Sequence, residues 1–160
     1  MIRVGFGIDV HPFVADGESR PLVLGGVLFD DRRGLRGHSD SDVVAHACCD
    51  ALLGAAGLED IGHHFPDTDE RYRDADSLEL LRRTIGLLGE RGYSVVHVDA
   101  TVLIERPALA PYRDRVRERL AEALGIGVEH VSVKATRGEG MGFVGRQEGA
   151  AALALATVGA

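Results

Sequence analysis

The stretch from Ile2 to Val10 is rich in β-branched residues, with glycines spaced for close backbone approach, and predicts a first strand. Pro21 to Phe29 predicts two short strands around a Gly25-Gly26 bend, and 32–37 a polar loop. A helix is predicted from Asp40 to Ala55, with Val43, Ala47 and Ala51 on one side. Asp42, His46 and Asp50 stack on another side at i, i+4, i+8, a stripe unusual for a surface helix and expected to face a site. Leu58 to Arg73 has little periodicity and many turn residues, so it predicts a long functional or mobile loop. Leu78, Leu81, Ile85 and Leu88 mark a second helix over Asp76–Arg91, stopped at Gly92. A strand over Val95–Glu105, a third helix over Tyr112–Leu124 and a strand over His130–Thr136 follow. The tail, Gln147 to Val158, stays open: its alanines favour helix, and its place suits a central strand. This order implies an α+β fold, a two-layer βαββαβ-like (ferredoxin-like) domain with a mixed sheet packed on helices.

Composition narrows the classes. With 160 residues, 45% hydrophobic and 27% charged, the chain suits one domain over residues 1–160. A net charge of −7 argues against nucleic-acid or membrane-surface binding. A phosphate-bearing substrate would therefore need local cations, metals or backbone amides. Cys48 and Cys49 are adjacent, pack in a core helix and build no disulfide framework. With no leader-like segment, and with Ala150–Ala156 too short to span a bilayer, a cytoplasmic protein is expected.

Asp9 and His11 lie two apart on the first strand and share a face, and His46 arrives from the first helix. Two imidazoles and a carboxylate suit Zn²⁺, leaving a fourth tetrahedral position for substrate. The same residues also fit a solvated carboxylate beside hydrogen-bonded core histidines.

Nine collinear blocks carry a more specific signal. They include Gly7-Ile8-Asp9-Val10-His11, His38-Ser39-Asp40-Ser41-Asp42-Val43-Val44-Ala45-His46, Asp60-Ile61-Gly62, Phe65-Pro66-Asp67-Thr68-Asp69, Ala75-Asp76-Ser77, Val133-Lys134-Ala135-Thr136 and Gly142 to Gly149. In these the chain resembles the 2-C-methyl-D-erythritol 2,4-cyclodiphosphate synthase family of the non-mevalonate isoprenoid pathway, over essentially its whole length. The resemblance implies a phosphorus–oxygen lyase acting on a cytidine diphosphate derivative of methylerythritol 2-phosphate. The 2-phosphate attacks the β-phosphorus, CMP leaves and a cyclic diphosphate forms. Asp9, His11 and His46 then match Zn²⁺ ligands, and Glu139 a ligand to Mg²⁺ or Mn²⁺ at the diphosphate. His38 and Ser39 match contacts near the transferring group, and Asp60, Ile61 and Gly62 contacts to the hydroxyl-bearing portion. Phe65, Asp67 and Asp69 match a covering loop, and Ile104–Ala110 a loop whose backbone reads cytosine. Asp50, one turn after His46, is placed to orient its imidazole.

Two departures stand out. The family commonly has Thr-Thr-Thr-Glu or Thr-Thr-Asn-Glu where this chain has Thr136-Arg137-Gly138-Glu139, and Ala108 replaces a frequent lysine. Arg137 offers a stronger cationic donor to the diphosphate, or else blocks the pocket; with His38 it is expected to be catalytic. The resemblance further implies a homotrimer with shared active sites and a central apolar cavity lined by Phe143, Arg146 and Glu148. Two other classes stay open: a metal-dependent phosphoesterase, and a trimeric isoprenoid- or nucleotide-binding protein with reduced activity.

Overall fold

The computed structural model describes residues 1–31 and 33–160. The polar loop expected over 32–37 therefore begins outside the described residues, at Arg32. In chain order the elements are β1 (Ile2–Pro12), β2 (Leu22–Leu24), β3 (Val27–Phe29), α1 (Val43–Ala56), the single turn α2 (Ile61–His64) and α3 (Ser77–Glu90). There follow β4 (Ser94–Leu103), α4 (Arg113–Leu124), β5 (Val131–Thr136), the single turn α5 (Gly142–Gly145) and β6 (Gly149–Gly159).

The alanine-rich tail is a strand. It pairs antiparallel with β1 from Ile2↔Gly159 to Pro12↔Gly149, and antiparallel with β4 on its other side. Local helix propensity loses here to tertiary context, because small side chains at Ala150, Ala152, Ala154 and Ala156 let α1 lie close over the sheet. The main sheet has the order β1-β6-β4-β5, with β4 and β5 parallel and joined through α4, while β2 and β3 form a separate hairpin. Two layers and a mixed sheet are as expected; the ferredoxin-like βαββαβ order is not. The parallel β4–β5 pair requires a helical crossover, and β6 enters between the first strand and that pair.

α1 sits almost directly on the backbone of β1. A Cβ built on Gly5 would lie 1.9 Å from the Ala51 carbonyl oxygen, and one on Gly7 2.1 Å from that of Ala47. Asp42 caps the helix. Its buried carboxylate accepts N–H bonds from Val44 and Ala45 and from Gly25 and Gly26 of the β2–β3 turn. Both turn glycines have positive φ, 57° and 71°, as a two-residue hairpin of this type requires. Asp42 therefore serves the helix cap and the hairpin, not a site, and only part of the Asp42-His46-Asp50 stripe opens on one.

Strand alternation leaves the far side of the sheet bare. Ile2, Val4, Phe6, Ile8 and Val10 of β1 are 51–64% exposed, and Leu155 of β6 is 48% exposed. Among the described residues no helix is long and apolar enough to cross a membrane.

The backbone contact yields a stability test. Gly7→Ala should lower the unfolding free energy by about 1–3 kcal/mol or more, as overpacking against backbone does. Gly54→Ala, with nothing within 4 Å of the added methyl, should raise it by up to about 1 kcal/mol. Urea denaturation of both variants checks this, and coinciding midpoints would show that α1 shifts freely on β1.

Candidate active site

At its far end β1 emerges from beneath α1, so Asp9 and His11 stay on the helix side of the sheet yet reach open space. His46, in the first turns of α1, meets them there. Asp9 Oδ2 lies 3.0 Å from His46 Nδ1 and 3.2 Å from His11 Nε2. One ligand atom from each of the three lies within 4.8 Å of the others, a group that could hold a metal ion. Burial alone would raise the Asp9 carboxyl; hydrogen bonds and charge from His11 and His46 outweigh it and hold that carboxyl well below the usual carboxylate range. Burial likewise pulls His11 down, and Asp9 overrides it to leave His11 raised.

The other nitrogen of each ring is also occupied. His11 Nδ1 donates to the Arg36 carbonyl at 2.9 Å, which leaves Nε2 for the cluster. His46 Nε2 lies 2.8 Å from Ser77 Oγ and 3.2 Å from Ser39 Oγ. This matches the pattern of metal-binding imidazoles, whose outer nitrogen is held by a second partner.

Beside the cluster is a cavity of about 350 Å³. Of the residues singled out from sequence, Asp9, His11, His38, Ser39, His46, Ile61, Gly62, Phe65 and Asp67 line it together. Gly37, Tyr72 and Leu80, not foreseen, complete the wall, with Phe65 and Tyr72 meeting edge to face at 5.5 Å. Asp60 caps α2 by accepting the His63 N–H, and Asp50 accepts the Ile61 N–H at 2.8 Å. Asp50 thus fixes the α2 turn; no hydrogen bond joins it to His46 among the described residues. Asp69 accepts His38 Nε2–H through its carbonyl at 3.0 Å, while its carboxylate is gripped by Arg71. The segment 38–40 is laced to 74–75 by Asp74 N–H to the His38 carbonyl and Asp40 N–H to the Ala75 carbonyl. Arg20, also unforeseen, binds the Gly37 and Ser39 carbonyls from below. No spacing in the sequence announces Arg20, Asp40 or Ser77, because each acts across a long chain separation.

A second cavity of about 890 Å³ lies between the 104–113 segment and the residues after β5. Thr136, Arg137 and Glu139 line it with Ile104–Ala110. Arg137 is largely exposed, with its Nε 4.0 Å from Glu139 Oε1, and Gly138 N–H is held by Glu105 at 2.9 Å. Phe143 and Arg146 line neither cavity; Arg146 forms an exposed ion pair with Glu148 at 2.8 Å.

Comparison with known proteins bears on this geometry. A family model described as the YgbB family matches residues 2–159. A 2-C-methyl-D-erythritol 2,4-cyclodiphosphate synthase from Rubrobacter xylanophilus is 60% identical over 96% of this chain and 92% of its own length. Among solved structures, the bifunctional IspDF of Campylobacter jejuni aligns with TM-score 0.93 at 41% identity, over 99% of this chain but only 42% of that longer one. A CDP-bound 2C-methyl-D-erythritol-2,4-cyclodiphosphate synthase aligns with TM-score 0.88 at 32% identity, over 98% of this chain and 100% of that one. The chain belongs to the YgbB family, the family of 2-C-methyl-D-erythritol 2,4-cyclodiphosphate synthases.

Proposed function

We propose that residues 1–160 act as one synthase domain converting 4-diphosphocytidyl-2-C-methyl-D-erythritol 2-phosphate to the 2,4-cyclodiphosphate plus CMP. The observation that carries this reading is the convergence of Asp9, His11 and His46 at the mouth of a cavity also lined by His38 and Ser39. The donor set fits Zn²⁺: one carboxylate and two imidazoles, each ring with its near nitrogen directed inward and its far nitrogen engaged elsewhere. When bound, that ion supplies positive charge to phosphate oxygens in a chain whose net charge is −7.

The reaction needs alignment and charge neutralisation more than a protein nucleophile. A 2-phosphate oxygen forms the new bond to the β-phosphorus as the bond from that phosphorus to the CMP oxygen breaks. Ser39 and His38 hold the phosphate end of the substrate, with His38 itself braced by the Asp69 carbonyl. Ile61, Gly62, Phe65 and Asp67 enclose the methylerythritol portion, while Asp60 and Asp69, expected beside it, have their carboxylates turned to the His63 N–H and to Arg71 and support the wall from behind. The 104–110 segment takes the cytosine, and Thr136 and Arg137 bind the diphosphate on the leaving side. Glu139 would hold Mg²⁺ or Mn²⁺ there, as suits an oxygen donor.

The two cavities lie at opposite edges of one sheet. Val10 pairs with Ala151, Ala151 with Leu103 and Leu103 with Thr136, so three inter-strand steps, roughly 14 Å, separate the two edges. We read this as a site completed between subunits of a homotrimer, with the bare β1 and β6 face as the buried interface. Phe143, Arg146 and Glu148 would then line a central apolar cavity. The number three comes from the family resemblance, the interface from the exposure. Buried free thiols at Cys48 and Cys49 support a cytoplasmic setting.

Incubation with the cytidine-diphosphate substrate and Mg²⁺, followed by phosphorus NMR, should show a cyclic diphosphate and CMP in equal amounts. His46→Ala should abolish both and release the bound zinc. A linear hydrolysed product would instead establish a phosphoesterase.

Mixing inactive His46→Ala with inactive Glu139→Ala subunits should restore part of the activity through hybrid sites. Native mass spectrometry should show mixed trimers; mixed trimers without activity would place each site within one chain.

Arg137→Ala should reduce kcat/KM by about ten- to a hundredfold, since a charged hydrogen bond contributes roughly 1.5–3 kcal/mol. Arg137→Thr should not exceed the parent. A clear gain in that variant would mean that Arg137 obstructs the pocket.

A further inference from the structure

The two histidines of the cluster present opposite ring nitrogens to Asp9, Nε2 from His11 and Nδ1 from His46. To take a metal ion in place of those contacts, each must carry its proton on the other nitrogen and leave a lone pair facing inward. For His11 a backbone carbonyl enforces this, that of Arg36. For His46 the partner is a side chain, Ser77, and a hydroxyl alone enforces nothing because it donates or accepts equally well.

What decides the direction is Asp40. Its Oδ2 accepts the Ser77 N–H at 3.1 Å, and its Oδ1 accepts the Ser77 hydroxyl proton. A carboxylate only accepts, so the single Ser77 hydroxyl proton is committed to Asp40. The Ser77 oxygen then has only lone pairs to offer at 2.8 Å from His46 Nε2, and the proton between them must sit on the imidazole. Ser39 Oγ, at 3.2 Å, is the more distant partner and also takes the Ser41 N–H. Ser77 is fully buried, so water does not substitute for it. Ser77 is not the cap of α3: the Asp76 side chain accepts the Leu78 N–H there. The hydroxyl thus has no helix-capping duty that would account for its position.

We propose that Asp40 and Ser77 are positioning residues that fix His46 as the Nε2–H tautomer, leaving Nδ1 as the metal-binding atom. This rests on the zinc site proposed above. Neither residue lines either of the two cavities; they act through His46, and the relay Asp40–Ser77–His46 couples the start of α3 to the metal site. Losing such an outer partner typically costs 10–100-fold in metal affinity.

The test titrates the zinc-loaded protein with a chromophoric chelator, then examines the histidine rings of the zinc-stripped protein by proton–nitrogen NMR, because bound zinc itself fixes the tautomer. Ser77→Ala should weaken zinc retention about 10–100-fold, and Ser77→Thr, which keeps the hydroxyl, should restore most of it. Asp40→Asn is the sharper variant. Its amide donates to Ser77 Oγ, the Ser77 proton turns toward His46 Nε2, and the ring population shifts toward Nδ1–H with weakened zinc binding. Parental affinity and an unchanged Nε2–H signature in both Ser77→Ala and Asp40→Asn would overturn the relay. His46→Ala separates the two levels. If that variant loses zinc while the other two keep it, only the relay fails; if it keeps zinc, the metal site and the relay fall together.

Discussion

Where α1 crosses β1, the carbonyl oxygens of Ala47 and Ala51 come so near Gly7 and Gly5 that a methyl group has no room. The contact between helix and strand in the site depends on that approach. Asp9 and His11 belong to the strand and His46 to the helix, and their side chains are short. A helix held one methyl layer higher would carry the imidazole away from the 3.0 Å contact with Asp9. The alanines of β6 extend the same close surface beneath the other side of α1, which is why a segment of helix-favouring composition ends as a central strand.

A helix so placed must be kept in register along its length, and acidic side chains do this. Asp42 binds the N-terminus of α1 to the β2–β3 turn, Asp50 binds its middle to α2, and Asp40 binds the chain just before it to α3. These carboxylates are turned to backbone N–H groups. Burial pushes Asp42 up to about 6, with the neighbouring charge of Asp40 adding to it against the N–H bonds it accepts.

How much of this was legible in the sequence depended on the range of the interaction. The strand at Ile2–Pro12 and the helices at Val43–Ala56, Ser77–Glu90 and Arg113–Leu124 follow from local pattern and punctuation, within a few residues of expectation. The Asp9-His11-His46 cluster was legible because strand spacing put two members on one face and the polar stripe of the first helix offered the third. The strand order was not, since pairing of β6 between β1 and β4 is decided by packing beneath α1 and has no local signature. Asp50 shows the limit of periodicity: one turn from His46, it looked like a support for that ring, yet its carboxylate reaches the Ile61 N–H. Ser77, far along the chain, is the residue that meets the ring.

The sheet that buries the core on one face leaves the other face bare, and both follow from one alternation. Alternation sends the glycines and small residues of β1 and β6 toward α1, and the same period sends Ile2, Val4, Phe6, Ile8 and Val10 outward. The last of that row, Ile8 and Val10, alternate with Asp9 and His11 at the strand end. The outward row cannot be made polar without loss of the proposed interface, and the inward row cannot be enlarged without lifting α1. The candidate metal cluster and the proposed association surface are thus the two faces of one strand. In the proposed assembly a neighbouring chain covers the bare face, and the cavity beside Arg137 and Glu139 reaches the metal cluster across that boundary. On that proposal, tight helix packing fixes half of the chemistry within the chain, and the face it leaves bare recruits the other half.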